Sequence, residues 1–204
     1  MGADVSAAQS TPLSLSPTQK LPAYCTTSKM TDVEFLQAIQ KIIAHRELAD
    51  AVFIEKILDT KFSVSYGWKA DGRRDLQKKI YQSDQMLGTP VEVSLSVNAS
   101  RKPLGGLIAD LSLNGSQNIA PNSNFLSDCL RISANDFVSP FGTDVFRNVV
   151  VGDIPPRTGP YIPPPVIYNK VLHYPGIDKT RIELDVNYEA NDQLISQVVI
   201  SQYR

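Results

Sequence analysis

Residues 91–98 read Val-Glu-Val-Ser-Leu-Ser-Val-Asn. Val91, Val93, Leu95 and Val97 take every second position, and Glu92, Ser94, Ser96 and Asn98 take the others. That is the period of a β-strand with one dry face and one wet face. The pattern returns at Ile182, Leu184, Val186 and Tyr188, set against Glu183, Asp185, Asn187 and Glu189. It also runs through Phe62, Val64, Tyr66 and Trp68, set against Ser63, Ser65 and Gly67. Clean alternation of this kind belongs to antiparallel sheets covered on one side only. The fold therefore needs something apolar to lie against that one face.

Upstream, Met30-Thr31-Asp32-Val33-Glu34-Phe35 carries a capping box. Thr31 can accept from the Glu34 amide while Glu34 reaches back, and Met30 can staple to Phe35. A helix is predicted from this point. Phe35, Leu36, Ile39, Ile42 and Ile43 form its apolar stripe, opposite Gln37, Gln40 and Lys41. After His45-Arg46-Glu47, the run from Asp50 through Val52, Phe53, Ile57 and Leu58 predicts a second, shorter helix. Helices first and strands afterwards predict an α+β fold. Its architecture would be an N-terminal helical pair packed on one face of a twisted, mainly antiparallel β-sheet, with a long proline-rich loop.

Further strands are expected at Leu107–Leu113, Leu130–Ser133, Phe146–Val151, Val166–Tyr174 and Leu194–Tyr203. Turns are expected at Asn98–Gly106 and at Ala190-Asn191-Asp192. Between Ala70 and Gly88, Leu76 and Ile80 stand one helical turn apart in a mostly charged segment, which reads as a short helix. No internal repeat is evident.

With 204 residues, 42% hydrophobic and 20% charged, the chain can bury one good core. A net charge of −1 supplies no general field toward nucleic acid or anionic lipid, so neither is an expected partner. No apolar stretch approaches the ~20 residues of a membrane-spanning helix. Residues 1–24 are rich in Ser, Ala, Thr, Pro and Gln and read as a disordered tether. Such a tether could follow a removed signal or lipoprotein sequence, which leaves peripheral attachment to a membrane open. Residues 25–204 then form a single domain. Cys25 and Cys129 are the only cysteines. As a bridge they suit a periplasmic or secreted protein and would pin the tether to the core. As two reduced, buried thiols they suit a cytoplasmic one.

Motifs for chemistry are sparse. Asn114-Gly115-Ser116-Gln117-Asn118 lacks the second glycine of a nucleophile elbow. His45 and His173 stand outside any His-Glu-x-x-His spacing, so structural roles are preferred and no metal site is expected. Asp128, Asp136, Asp144 and Asp153 match no calcium loop. Gly105-Gly106 is too short to cradle phosphate, and no cofactor is expected. The basic run Lys69–Lys79 is diluted by Asp71 and Asp75, which weighs against single-strand binding.

Residues 152–168, GDIPPRTGPYIPPPVIY, hold six of the fourteen prolines. Arg157, Pro160 and Pro163 fit the spacing of an SH3 ligand, but the strands expected on either side cannot each make a domain. An internal loop is therefore expected, stiffened by fixed φ angles and barred from a central strand. Arg157, Tyr161 and Ile162 are its candidate partner-binding residues, since Arg and Tyr dominate many interfaces and a stiff loop loses little entropy on docking. The favoured function is a non-enzymatic, extracytoplasmic binding protein that docks a protein partner through loops including the arm 153–166, as an inhibitor or immunity protein would. One alternative is a hydrolase or small-ligand binder with a site assembled from distant residues, such as His173 with Asp153 or Asp185. Another is an envelope-associated structural subunit that pairs through its Ser/Glu/Asn sheet face or an edge strand.

Overall fold

A computed structural model describes residues 22–25, 30–68, 74–98, 106–115, 124–133, 136–137, 139–141, 147–150, 167–175, 179–189 and 194–204. Among the described residues, two α-helices, α1 (Asp32–His45) and α2 (Ala51–Ile57), precede eight strands. The strands are β1 (Ser63–Trp68), β2 (Arg74–Ser83), β3 (Val91–Asn98), β4 (Leu107–Gly115), β5 (Arg147–Val150), β6 (Ile167–Pro175), β7 (Arg181–Glu189) and β8 (Ile195–Tyr203). They form one sheet in the order β1-β2-β3-β4-β8-β7-β6-β5. Every neighbouring pair is antiparallel. The expected α+β class and antiparallel sheet are thus present. The order consists of two four-stranded meanders, each running inward in sequence from its edge to the centre, where β4 meets β8.

Thr31 caps α1 as its neighbours dictate. The Glu34 amide donates to Thr31 Oγ1 at 3.3 Å, and the Thr31 amide donates to Glu34 Oε2 at 2.7 Å. Phe35, Ala38, Ile39, Ile42 and Ile43 of α1 are buried, while Val33 on the far side is exposed. The chain leaves α1 through Arg46, whose φ of 59° turns it sharply. Asp50 then caps α2 by accepting from the Phe53 amide at 3.1 Å. Ile54 and Leu58 are buried beside α1 in one apolar cluster.

The same cluster takes one face of the central strands. In register across β3, β4, β8 and β7 lie Val93, Leu113, Val198 and Val186, and beside them Leu95, Leu111, Ile200 and Leu184. All eight are at most 1% exposed. Phe125, Leu126, Leu130 and Phe137 close the other end of this cluster. The alternation read from VEVSLSVN is thus the inner and outer face of a sheet covered by helices on one side.

Two expectations fail. Residues 74–83, within the stretch read as a short helix, form β2, paired with both β1 and β3. Leu76 and Ile80 do stand one helical turn apart. Two strands competing for the same backbone hydrogen bonds outweigh so weak a helical pattern. Leu130–Ser133, read as a strand, contributes only a bridge between Ser133 and Leu194. Leu126–Leu130 before it is instead a π-helical turn that buries Leu126, Ser127 and Leu130.

Candidate functional site

Arg157, Tyr161 and Ile162 lie outside the described residues, as do Asp144 and Asp153. The ends of their segment are described: Val150 of β5 pairs with Tyr168 of β6, so the proline-rich stretch connects two adjacent antiparallel strands at one margin of the sheet. It is internal to the sheet's connectivity, as expected.

The Cys25–Cys129 bridge is formed, with Cα atoms 5.1 Å apart. Its surroundings hold the first residues of the domain against the π-helical turn. Tyr24 Oη donates to Asp128 Oδ2 at 2.5 Å, and the Asn124 amide donates to the same oxygen at 2.8 Å. Asn124 Oδ1 accepts from the Leu126 amide, and its Nδ2 donates to the Ser196 carbonyl at 2.8 Å. Asp128 therefore anchors a turn.

His45 likewise has a structural setting. Its Nε2 lies 3.2 Å from Asp50 Oδ2, and its ring stacks on Phe53 with centroids 3.7 Å apart. His173 stands opposite Glu183 in the β6–β7 register, and Val171 stands opposite Asp185. Asp136 is bound to the Ser133 hydroxyl at 2.7 Å. Among the described residues, no three His, Cys, Asp or Glu side chains are grouped so as to hold a metal ion. An open cleft of 470 Å³ beside the end of β2 is lined by Asp59, Thr60, Lys61, Ser63 and residues 82–85. His45 is not among its lining residues.

The most organised polar surface is the outer face of the sheet, opposite the helices. Ser112 of β4 is its centre. Asn114 Nδ2 and Gln197 Nε2 both donate to Ser112 Oγ, at 3.2 and 3.0 Å. Asn187 Nδ2 in turn donates to Gln197 Oε1 at 2.5 Å. The next row carries charge. Ser201 Oγ donates to Asp110 Oδ1 at 2.6 Å, and Glu183 stands opposite Ser201 and is paired with Arg181 at 2.9 Å. The Arg181 guanidinium also lies 5.0 Å above the Tyr203 ring. Partial burial pushes the Tyr203 hydroxyl's pKa up. The carboxylates of Glu183, Asp110 and Asp185 push it the same way, against a hydrogen bond with Ser201 that lowers it.

This row brings Asp110, Ser201 and Glu183 together, with His173 next in register. Ser201 is only 4% exposed and its hydroxyl is committed to Asp110, a poor arrangement for a nucleophile that must meet a substrate. Hydroxyls, amides and carboxylates stand fixed on a rigid backbone and lose little freedom on meeting a partner. The strand period placed Glu183, Asp185 and Asn187 on a wet face, but their assembly with Asp110, Ser112, Gln197 and Ser201 depends on β8 entering between β4 and β7. No family model, curated protein or solved structure matches this chain.

Proposed function

We propose that the chain is a non-enzymatic binding protein of an oxidising, extracytoplasmic compartment that docks a protein partner, as an inhibitor or immunity protein does. One observation carries this reading: the outer sheet face is a prearranged hydrogen-bonded network, from Asn114 through Ser112 and Gln197 to Asn187, on a scaffold closed at its back by a dry core. The Cys25–Cys129 bridge supports the compartment, because such bonds persist where thiols are not kept reduced. The loop 153–166 leaves β5 and returns to β6 at the margin of this sheet, next in order to β7. Arg157, Tyr161 and Ile162 would then extend the contact beyond the strands.

Affinity capture from the native source, with the wild-type chain and an Arg157→Ala/Tyr161→Ala/Ile162→Ala variant as baits, tests the reading. The expected result is a discrete protein partner whose binding weakens about tenfold or more in the variant, the scale set by interface hot spots. Unchanged capture by the variant would remove the arm from the interface.

A further inference from the structure

Two residues with a positive φ, Asp59 at 43° and Leu87 at 49°, border one groove between the helices and the β2–β3 turn. Asp59 follows the last turn of α2, where the Thr60 amide donates to the Glu55 carbonyl at 3.1 Å. That helix ending is ordinarily built on glycine, and a carboxylate there sits at the negative end of the helix dipole. Leu87 stands at the first central position of the turn Met86–Thr89, whose ends exchange hydrogen bonds of 3.0 and 2.9 Å. With Gly88 beside it at φ 70°, this turn favours asparagine, aspartate or glycine in the place of Leu87. The Leu87 amide donates to the Leu58 carbonyl at 2.7 Å, which ties the two strained positions together. Packing against the core offsets part of the strain at Leu87. Asp59 is exposed and has no hydrogen-bond or ion-pair partner among the described residues, so nothing in the fold offsets its own. Local rules broken without a structural return point to a site.

The groove has a dry end and a wet end, and Asp59 lines both. The dry end, of 240 Å³, takes its apolar lining from Met30, Ala38, Ile57 and Leu87. The wet end is the 470 Å³ cleft beside β2, in which Asp84 is a second carboxylate without a partner among the described residues. Lys61 is the one ammonium in its lining, so the cleft is net negative. A flat, forked guanidinium can bridge two carboxylates where a point-like ammonium meets one. In an extended peptide, side chains two residues apart point to the same side about 6.5 to 7 Å from each other, as two adjoining clefts require. We propose that this groove binds an extended segment of a protein partner, with an apolar side chain on Ile57 and Leu87 and, two residues away, an arginine at Asp59 and Asp84. The site uses neither the network around Ser112 nor the loop 153–166, and the two readings fail separately.

The test is a titration of the full, disulfide-bonded chain, followed by amide chemical shifts in NMR spectra. The probes are acetyl-Leu-Gly-Arg-amide and its reversed form acetyl-Arg-Gly-Leu-amide, compared with acetyl-Leu-Gly-Glu-amide and acetyl-Gly-Gly-Arg-amide. At least one of the first two should saturate with a Kd of about 1 to 10 mM, the scale open to so small a ligand. Its shifts should centre on residues 59–61, 82–85 and Leu87, and the glutamate and glycine peptides should bind about five-fold more weakly or not at all. Asp59→Gly should weaken the best peptide about three-fold or more and, by relieving the backbone, raise the denaturant midpoint. Asp84→Asn should weaken it similarly with the midpoint unchanged. No saturation up to about 20 mM, or equal binding of the glutamate or glycine peptide, would overturn the proposal. An Asp59→Gly chain that binds as well as the wild type would do the same, and so would one no more stable than it, since the carboxylate would then serve the fold.

Discussion

A Cβ on Gly115 would lie 2.1 Å from Asn124 Oδ1 and 2.5 Å from the Phe125 amide nitrogen. The end of β4 and the turn that carries the disulfide meet there without room for a methyl group. Gly115→Ala is expected to lower unfolding free energy by about 1–3 kcal/mol, the usual cost of overpacking, as measured by denaturant melts. Gln202 is a second position where one side chain decides a contact. It is 1% exposed on the otherwise apolar face, where its Oε1 accepts from the Leu48 amide at 2.9 Å and its Nε2 reaches Arg46 O and Thr180 Oγ1, both at 3.4 Å. The corner between α1 and α2 thus finds its polar partners in the sheet. Gln202→Leu should cost about 1–3 kcal/mol by leaving the Leu48 amide unpaired in the interior. At the other end of α1, hydrogen bonds from the Thr31 amide and hydroxyl hold the Glu34 carboxyl below its ordinary value, while burial pushes Asp32 up against a weaker backbone bond. A depressed folded pKa stabilises above the ordinary glutamate value and is lost as pH falls through the folded one; the raised Asp32 works in the opposite sense. Carboxyl titration by NMR should find the two midpoints drawn toward each other, with Thr31→Ala moving Glu34 part of the way back.

Among the elements, β2 separates local pattern from global pairing. A helical reading of Leu76 and Ile80 was available to the chain, yet Ile80 stands between Ser65 of β1 and Ser96 of β3. Tyr81→Pro would remove a backbone donor from a strand paired on both sides. Amide exchange should then accelerate across Ser63–Tyr66 as β1 detaches, while α1, held by its own apolar stripe, stays protected. α1 is the opposite case: its cap, its stripe and its length are all local properties, and each was readable in residues 30–45. The turn Leu126–Leu130 was not, because its backbone serves the Asn124 and Asp128 contacts and the bridge at Cys129.

Across the whole molecule, the disulfide ties the segment before the first meander to the turn before the second, 104 residues away in sequence. In the chain-entropy view, closing a loop of that size stabilises by about 4 to 5 kcal/mol. Reduction, or Cys25→Ser with Cys129→Ser, should lower the denaturant midpoint accordingly without altering the sheet's far-UV signature. The sequence by itself determined the α+β class, the start of α1 and the faces of β3 and β7, while it left Cys25 and Cys129 open between a bridge and two reduced thiols, which the structure decided for the bridge. The first three features follow from short-range periodicity, capping and composition, which act within a few residues. Strand order, the pairing of β4 with β8, the conversion of 74–83 into a strand, the polar network around Ser112 and the burial of Gln202 were decided only in the tertiary structure. Each depends on which distant backbone satisfies which hydrogen bond, and the strand period, which assigns a side chain to a face, is silent about the neighbour it will meet there.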